Sequence, residues 1–333
     1  MIHTNTSLII TSISGPNAAM KMFAKTSLAN GINFIVIGDV KSPKDFKLDG
    51  CRFYSIEEQE TLDFKLAKIL PKKHYSRKNI GYLLSAHQDI IIESDDDNFP
   101  REDFWLVRRR DCDAKLIKMN GWTNAYMHFT NEKIWPRGFP LELLNQNKDI
   151  TGNRFSVSSP IHQGLADENP DVDAVYRMCM KLPVSFSKNT SIALGNASWC
   201  PFNSQNTTWF REAFPLLYLP SYCSFRMTDI WRSFVAQRIA WTCDWPIVFH
   251  NSTVWQERNE HSLIKDFEDE MPGYLNNAKI CSLLENLKLK EGVENIPENL
   301  IICYKLLIEN KFILPDEIVL LEAWLEDLKN IPK

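Results

Sequence analysis

A chain of 333 residues with 44% hydrophobic and 24% charged side chains has globular usage, and it is long enough for one large domain with an appendage or for two domains. Its formal charge of -4, from 38 basic and 42 acidic residues, leaves no basic excess to neutralise phosphates and excludes a general nucleic-acid binder. GxSxG and GxxxxGK(S/T) are both absent, which removes the serine-hydrolase elbow and the P-loop. No apolar run approaches the roughly 18 residues that span a membrane, and the first residues lack the build of a signal peptide. The eight cysteines are scattered without CxxC or His/Cys metal spacing, so reduced, mostly buried thiols and a cytoplasmic location are expected.

In chain order, Ser7–Ile13 is a β-branched run that predicts a buried strand, and Ser14-Gly15-Pro16-Asn17 breaks it ahead of a helix. Asn33–Ile37 predicts a second strand ending in Gly38-Asp39, and Cys51–Ile56 a third. Leu62, Leu66, Ile69 and Leu70 fall at helical spacing before Pro71, and Ser76–Asn79 opens a helix through Ile80, Leu83 and Leu84. The strand Ile90–Ile92 then stops at Glu93-Ser94 and three consecutive acids, Asp95, Asp96 and Asp97. Strands alternating with helices predict a parallel, doubly wound sheet, whose right-handed crossovers bring Ser12, Asp39 and Asp95–Asp97 to one edge. From about Trp105 to Trp255 the pattern is irregular and reads as substrate-surface loops. From Ile280 onward three leucine-rich stripes read as the core of a small helical appendage, giving expected units of 1–272 and 273–333.

Adjacent carboxylates repel, so a cation is expected among Asp95, Asp96 and Asp97, most simply Mn²⁺ or Mg²⁺ carrying a phosphorylated ligand. Asp39 is placed for a ribose or base edge, with a plain turn aspartate the equal alternative. Arg77, Lys78 and Asn79 precede a helix, where a diphosphate or only solvent meets them. Asp229 sits among aromatics, a setting that raises a carboxyl pKa toward a general base, or else it caps the helix over Trp231–Trp241. His250 and His261 come late enough to complete a metal shell. Trp122, Trp135, Trp199 and Trp231 are candidates to stack on sugar faces. Arg108-Arg109-Arg110, followed by Asp111 and Asp113, reads as a solvated or ion-paired face.

Several blocks resemble the glycosyltransferase-like domain of the plant STELLO proteins: Tyr75–Tyr82, Ile92–Asn98, His128–Thr130, Ile134–Pro140, Pro201–Thr207, Asp229–Arg232, Arg258–His261 and Lys265–Glu270. A more distant likeness is to the reversibly glycosylated polypeptides, the UDP-arabinopyranose mutases, through the triple aspartate, Arg137-Gly138-Phe139-Pro140, and Gly164-Leu165 with Pro170-Asp171-Val172-Asp173-Ala174. Both families resemble GT-A glycosyltransferases. The resemblance therefore implies an α/β fold with a mixed sheet flanked by helices, a nucleotide-diphosphate sugar donor (a UDP-sugar), and a glycan or other hydroxyl acceptor. It implies that Thr11, Ser12, Asp39, Arg77, Asn79, Asp95 and Asp96 contact the donor, and that Asp95, Asp97 and His261 hold the metal. Asp229, Arg137 and Asp171 become the catalytic candidates. Arg137 by analogy with the mutases suggests self-glycosylation as a second reading, and a turnover-free scaffold is a third. The expected partners exclude nucleic acid and admit a second copy of the chain.

Overall fold

The computed structural model describes residues 5–145, 153–186, 190–257 and 262–332. Its first half builds β1 (Thr6–Thr11), α1 (Ala18–Asn30), β2 (Asn33–Ile37), β3 (Arg52–Tyr54), α2 (Ile56–Thr61), α3 (Lys65–Ile69), α4 (Lys78–Ser85) and β4 (Ile90–Ser94). Then come β5 (Asn98–Pro100), β6 (Asp111–Ile117), β7 (Gly121–Trp122), β8 (Arg154–Ser158), β9 (Ile161–Asp167), α5 (Ala174–Cys179), β10 (Ser191–Leu194), β11 (Ser198–Trp199), β12 (Asn206–Phe210), α6 (Thr228–Ala240) and β13 (Ile247–Gln256). The chain closes on α7 (Leu263–Glu285), α8 (Ile296–Glu309) and α9 (Glu317–Asn330).

Among the described residues one sheet runs in the order β3-β2-β1-β4-β12-β9-β13-β10-β6-β8, with β5 added on β13 and β7 paired with β11 apart from it. Only part of this sheet has the wholly parallel character that its first strands suggested. β3, β2, β1 and β4 are parallel, whereas β12 enters antiparallel to both β4 and β9. The result is a mixed sheet flanked by helices.

On either side of β1 and β4, strand alternation sets two cores. Leu8 and Ile10 of β1 and Ile92 of β4 face α1 through Phe23, while Ile9 and Ile91 face the opposite layer of α4 and α6. On that layer α4 lies so close to the sheet that a Cβ on Gly81 would stand 2.5 Å from a methyl of Ile9, so only glycine fits there. The stretch after Tyr54 forms two short helices rather than one continuous helix. Ser55 caps α2 in a reciprocal box with Glu58, and Asp327 of α9 supplies the cap for α3, accepting from the Lys65 and Leu66 amides at 2.9 and 2.8 Å.

Because period two continues past Ile92, Glu93 points into the apolar layer beside α4 and α6. It is fully buried, and both its oxygens pair with the Arg232 guanidinium at 2.9 and 2.8 Å. Trp209 Nε1 donates to it at 2.9 Å and Tyr82 Oη donates as well. A buried ion pair is weak evidence of net stabilisation, but removing one partner strands the other charge. Glu93→Gln is therefore expected to lower stability by about 3–5 kcal/mol, read as a fall in urea midpoint at unchanged slope. A loss under about 1 kcal/mol would show that Arg232 finds other compensation.

α7 runs unbroken through residues 272 and 273, where the expected boundary lies. The appendage is knitted to α6 and to the loops around Gly138 and Tyr218–Tyr222 by polar contacts as well as by its leucine stripes. Asn277 joins Trp231 Nε1 at 2.8 Å and the Gly138 carbonyl at 2.9 Å, and Glu317 accepts from the Ser221 and Tyr222 amides and from Tyr218 Oη.

Candidate functional site

Three parallel strands end at the same edge and deliver their next residues to one cavity of about 430 Å³. β1 brings Thr11 and Ser12, β2 brings Gly38 and Asp39, and β4 brings Asp95, Asp96 and Asp97. The far wall carries Arg137, Asp171, Asn203, Ser204, Phe225 and Asp229. Thus residues as distant in sequence as Thr11 and Gln256 meet in a space the size of a small ligand.

The acidic turn is held from below and from the side. Lys78, with 0% of its side chain exposed, donates from Nζ to the Ser94 carbonyl at 2.7 Å, the Ser204 carbonyl at 3.0 Å and Asp95 Oδ1 at 3.2 Å. Desolvation nevertheless pushes the Asp95 carboxyl up to about 7, against the lowering effect of Lys78, although 39% of that side chain remains exposed. Asp96 takes a 2.5 Å hydrogen bond from Ser12 Oγ, and its carbonyl accepts from Asn17, the N-cap of α1; burial raises its carboxyl too. Gln256 Nε2 donates to Asp97 Oδ1 at 3.0 Å. His261 lies outside the described residues. His250 is not among the lining residues, and its Nδ1 contacts the Asn251 carbonyl at 2.9 Å.

On the far wall Arg137 bridges two carboxylates. Its Nε and Nη2 meet Asp171 at 2.8 and 2.9 Å, and Nη1 and Nη2 meet Asp229 at 3.0–3.1 Å. Nη1 also donates to the Arg226 carbonyl. Burial alone would raise the Asp229 carboxyl, but the Arg137 charge and hydrogen bonds outweigh it and hold Asp229 below the usual carboxylate range. That is opposite to the raised value expected for an acid among aromatics. Nor is Asp229 the cap: it lies one residue inside α6, and its Oδ2 accepts from the Ser204 amide at 3.2 Å. Asn203 adds a 2.9 Å bond to Asp171.

Asp39 turns its carboxylate onto the loop before α4. It accepts from the Val40 and Lys73 amides at 2.6 and 2.9 Å on Oδ1 and from the His74 amide at 2.9 Å on Oδ2. Lys73 adopts a left-handed φ of 59°, which turns two successive amides toward one carboxylate. Arg77 lines the cavity but spends Nε on Gln59 at 2.8 Å and Nη1 on the Leu70 carbonyl at 3.0 Å. Asn79 is not brought to the cavity: both ends of its amide bind the Leu219 backbone, at 2.8 and 2.9 Å.

The four tryptophans named for sugar stacking all lie outside the lining residues. Trp199 and Trp231 are buried, Trp135 donates to Asp173 at 2.7 Å, and Trp122 packs edge-on against Phe139 and Phe234. The cavity's aromatic surface comes instead from His74, Tyr75 and Phe225, with Tyr75 and Phe225 edge-on at 4.8 Å. Phe225 is 49% exposed, the property that marks it and that sequence reasoning could not supply. Ser204 and Asn203 had a signal, a polar Asn-Ser-Gln-Asn run flanked by Phe202 and Trp209.

The family model for STELLO glycosyltransferases matches residues 226–332. Over 96% of its length the chain is 25% identical to "Probable glycosyltransferase STELLO2" and 24% identical to "Probable glycosyltransferase STELLO1", both of Arabidopsis thaliana. It spans 44% of the length of each relative. Among solved structures, glucosyl-3-phosphoglycerate synthase from Mycobacterium tuberculosis in complex with phosphoglyceric acid aligns with a TM-score of 0.44 at 10% identity, covering 83% of this chain and 80% of that one. The same enzyme in complex with Mn²⁺, uridine-diphosphate and glucosyl-3-phosphoglycerate aligns at 0.41, with the same identity and coverage. On sequence, the chain resembles the STELLO glycosyltransferases along nearly its whole length.

Proposed function

We propose that this chain is a glycosyltransferase that binds a nucleotide-diphosphate sugar with a divalent cation and passes the sugar to a hydroxyl acceptor, a glycan being the natural one. The observation that carries this reading is the convergence, in one cavity, of the strand-end acids Asp95–Asp97 with the Arg137-bridged pair Asp171 and Asp229. The sequence likeness to the STELLO glycosyltransferases and the strand-edge placement support it.

The residues suit Mn²⁺ or Mg²⁺. Asp95 and Asp97 offer hard oxygen donors to the cavity, and diphosphate oxygens would join them in the shell. When bound, the cation supplies charge neutralisation for the leaving diphosphate. Ser12 and Lys78 fix the turn on which those acids sit, through Asp96 and Asp95. Asp171 and Asp229, held rigid by the Arg137 fork, are oriented acceptors for sugar hydroxyls.

A carboxylate held below its usual pKa is a poor proton acceptor, so Asp229 orients the sugar rather than deprotonating the acceptor. Arg137 in turn is unsuited to carry a sugar itself. Its nitrogens are committed to Asp171, Asp229 and the Arg226 carbonyl, and the residue is 5% exposed, which weighs against self-glycosylation.

Asp229→Asn is expected to leave nucleotide affinity within about twofold and to lower kcat by about 100-fold, as for a misplaced substrate. Turnover at the wild-type rate would remove Asp229 from the reaction. Failure of the wild type to bind UDP or GDP with either cation, measured by calorimetry, would sink the glycosyltransferase reading as a whole.

A further inference from the structure

The first half of α7 stands behind the far wall of the cavity, and one of its carboxylates is shared by segments distant in sequence. Glu270 is 1% exposed and is not among the cavity-lining residues. Its Oε1 accepts from Arg226 Nε at 3.1 Å and from Nη2 at 2.8 Å. Its Oε2 accepts from the Ala174 amide and from Tyr274 Oη, both at 2.7 Å. An ionised carboxylate offers about four lone-pair sites, and these donors fill them. Nearby, Ser224 Oγ donates to the Asp269 carbonyl, and α7 packs so close that a Cβ on Gly273 would collide with Met227 Sδ.

Two of the Glu270 contacts lead directly to the Arg137 fork. Arg226 lies three residues before Asp229, and its carbonyl accepts from Arg137 Nη1. Ala174 lies three residues after Asp171, whose carbonyl accepts from the Arg137 amide at 2.9 Å and whose carboxylate the fork binds. Asp173, next to Ala174, accepts from Trp135 Nε1 at 2.7 Å, two residues before Arg137. The segments that carry Arg137, Asp171 and Asp229 are thus pinned together behind the cavity as well as inside it.

We propose that Glu270 is a positioning residue for sugar transfer: acting through Arg226 and Ala174, it sets where Arg137 holds Asp171 and Asp229. The helical appendage then builds part of the site through α7. The contacts call for a carboxylate, because glutamine would set an N–H donor against either the Arg226 guanidinium or the Ala174 amide. Displacing an orienting group by about 1 Å can cost about 100-fold in rate. The cost should fall on turnover and not on nucleotide affinity, since the acids proposed to meet the diphosphate and cation sit on β4 across the cavity. The inference rests on the nucleotide-sugar reading and adds the residue that fixes its sugar-orienting pair from outside.

The test compares the full chain with Glu270→Gln and Arg226→Met. Calorimetry gives UDP affinity in Mn²⁺, and a coupled assay gives UDP release from saturating UDP-glucose, UDP-galactose or UDP-N-acetylglucosamine. NMR of the ligand-free protein follows the Arg137 side-chain resonances, assigned by their loss in Arg137→Lys. Both variants are expected to bind UDP within about twofold of wild type and to release it from the sugar about 10- to 100-fold more slowly. The committed fork should give separate Nη resonances in wild type, and these should merge in both variants. A Glu270 that only stabilises the fold would lower the unfolding temperature yet leave turnover and the Arg137 resonances as in wild type, and that result overturns the inference. Where wild type turns over none of the three donors, the resonances decide alone: merged lines support the assignment and separate lines overturn it. If Glu270→Gln does not fold, Arg226→Met, at a side chain 19% exposed, reads the same link. Wild type that binds no UDP overturns the glycosyltransferase reading, whereas unchanged Arg137 resonances in both variants overturn this inference alone.

Discussion

Arg137→Ala is expected to destabilise the chain by roughly 3–5 kcal/mol and to abolish transfer, the largest combined effect of any single substitution at the site. The guanidinium is the shared counter-charge of Asp171 and Asp229, whose side chains are 12% and 6% exposed. Its removal leaves two carboxylates facing each other across a void with little water to solvate them. Lysine is not an adequate substitute, because a point charge cannot bond both acids in the plane that the fork spans; Arg137→Lys should recover less than about half of the loss. The pH dependence gives a second readout. Asp229 is held below its unfolded value near about 3.9, so its contribution is fully present above that value and is lost as pH falls through the folded pKa. In Arg137→Ala the lowering influence is gone and burial raises Asp229, so the sign reverses: the variant's deficit should be largest at neutral pH and should shrink as pH falls and the buried carboxyl takes up a proton. Urea unfolding at pH 4 and pH 7 checks both statements. A variant within about 1 kcal/mol of wild type at pH 7 would mean that Arg137 only touches the acids.

What is legible in the sequence follows from how each element is buried. β1, β2 and β4 are covered on both faces by helices, so Leu8-Ile9-Ile10, Phe34–Ile37 and Ile90–Ile92 read as unbroken apolar runs that also locate the residues at their ends. The middle of the chain reads as loops because its strands bury polar side chains. Every residue of β12, Asn-Thr-Thr-Trp-Phe, is buried, and so is every residue of β9, Ile-His-Gln-Gly-Leu-Ala-Asp. These side chains satisfy one another: Thr207 donates to Gln163 at 2.9 Å, and Asn206 donates to the Leu165 carbonyl at 3.0 Å. A hydrophobic pattern cannot register a strand stabilised that way. The same limit explains the site. Strand ends locate Asp39 and Asp95–Asp97, but partners such as Lys78 beneath Asp95 and Arg137 between Asp171 and Asp229 depend on side-chain direction. Asn79 shows the converse: one helical residue beyond Lys78, its side chain turns to Leu219 rather than to the cavity. The tryptophans invite a sugar-stacking reading because they sit in polar sequence, yet Trp231 and Trp135 use their indole N–H on Asn277 and Asp173 and stay in the core.

Asp97→Ala should reduce Mn²⁺-supported UDP binding by at least about 100-fold, to the level seen without metal, and lower transfer by a similar or larger factor. Stability of the metal-free chain should change little, because Asp97 is half-buried and its Gln256 contact is a single hydrogen bond between side chains. The wild-type pH profile constrains the same assignment through Asp95. Its carboxyl is raised to about 7, so in the metal-free protein it holds a proton below that pH, and a cation binding there must displace it. Metal-supported nucleotide affinity is therefore expected to rise by up to about tenfold per pH unit from roughly 5.5 toward 7 and to level off above, whereas metal-free affinity should be flatter. Asp95→Asn carries no displaceable proton and should flatten the profile at a lower affinity. The two substitutions separate the roles: Asp97→Ala keeps the slope if any metal-supported binding remains, and Asp95→Asn loses it. An affinity that is level from about pH 5.5 to 7.5 in the wild type would take Asp95 out of the metal shell. It would leave Lys78 as that carboxylate's lasting counter-ion, with the diphosphate charge met by a cation seated on Asp97.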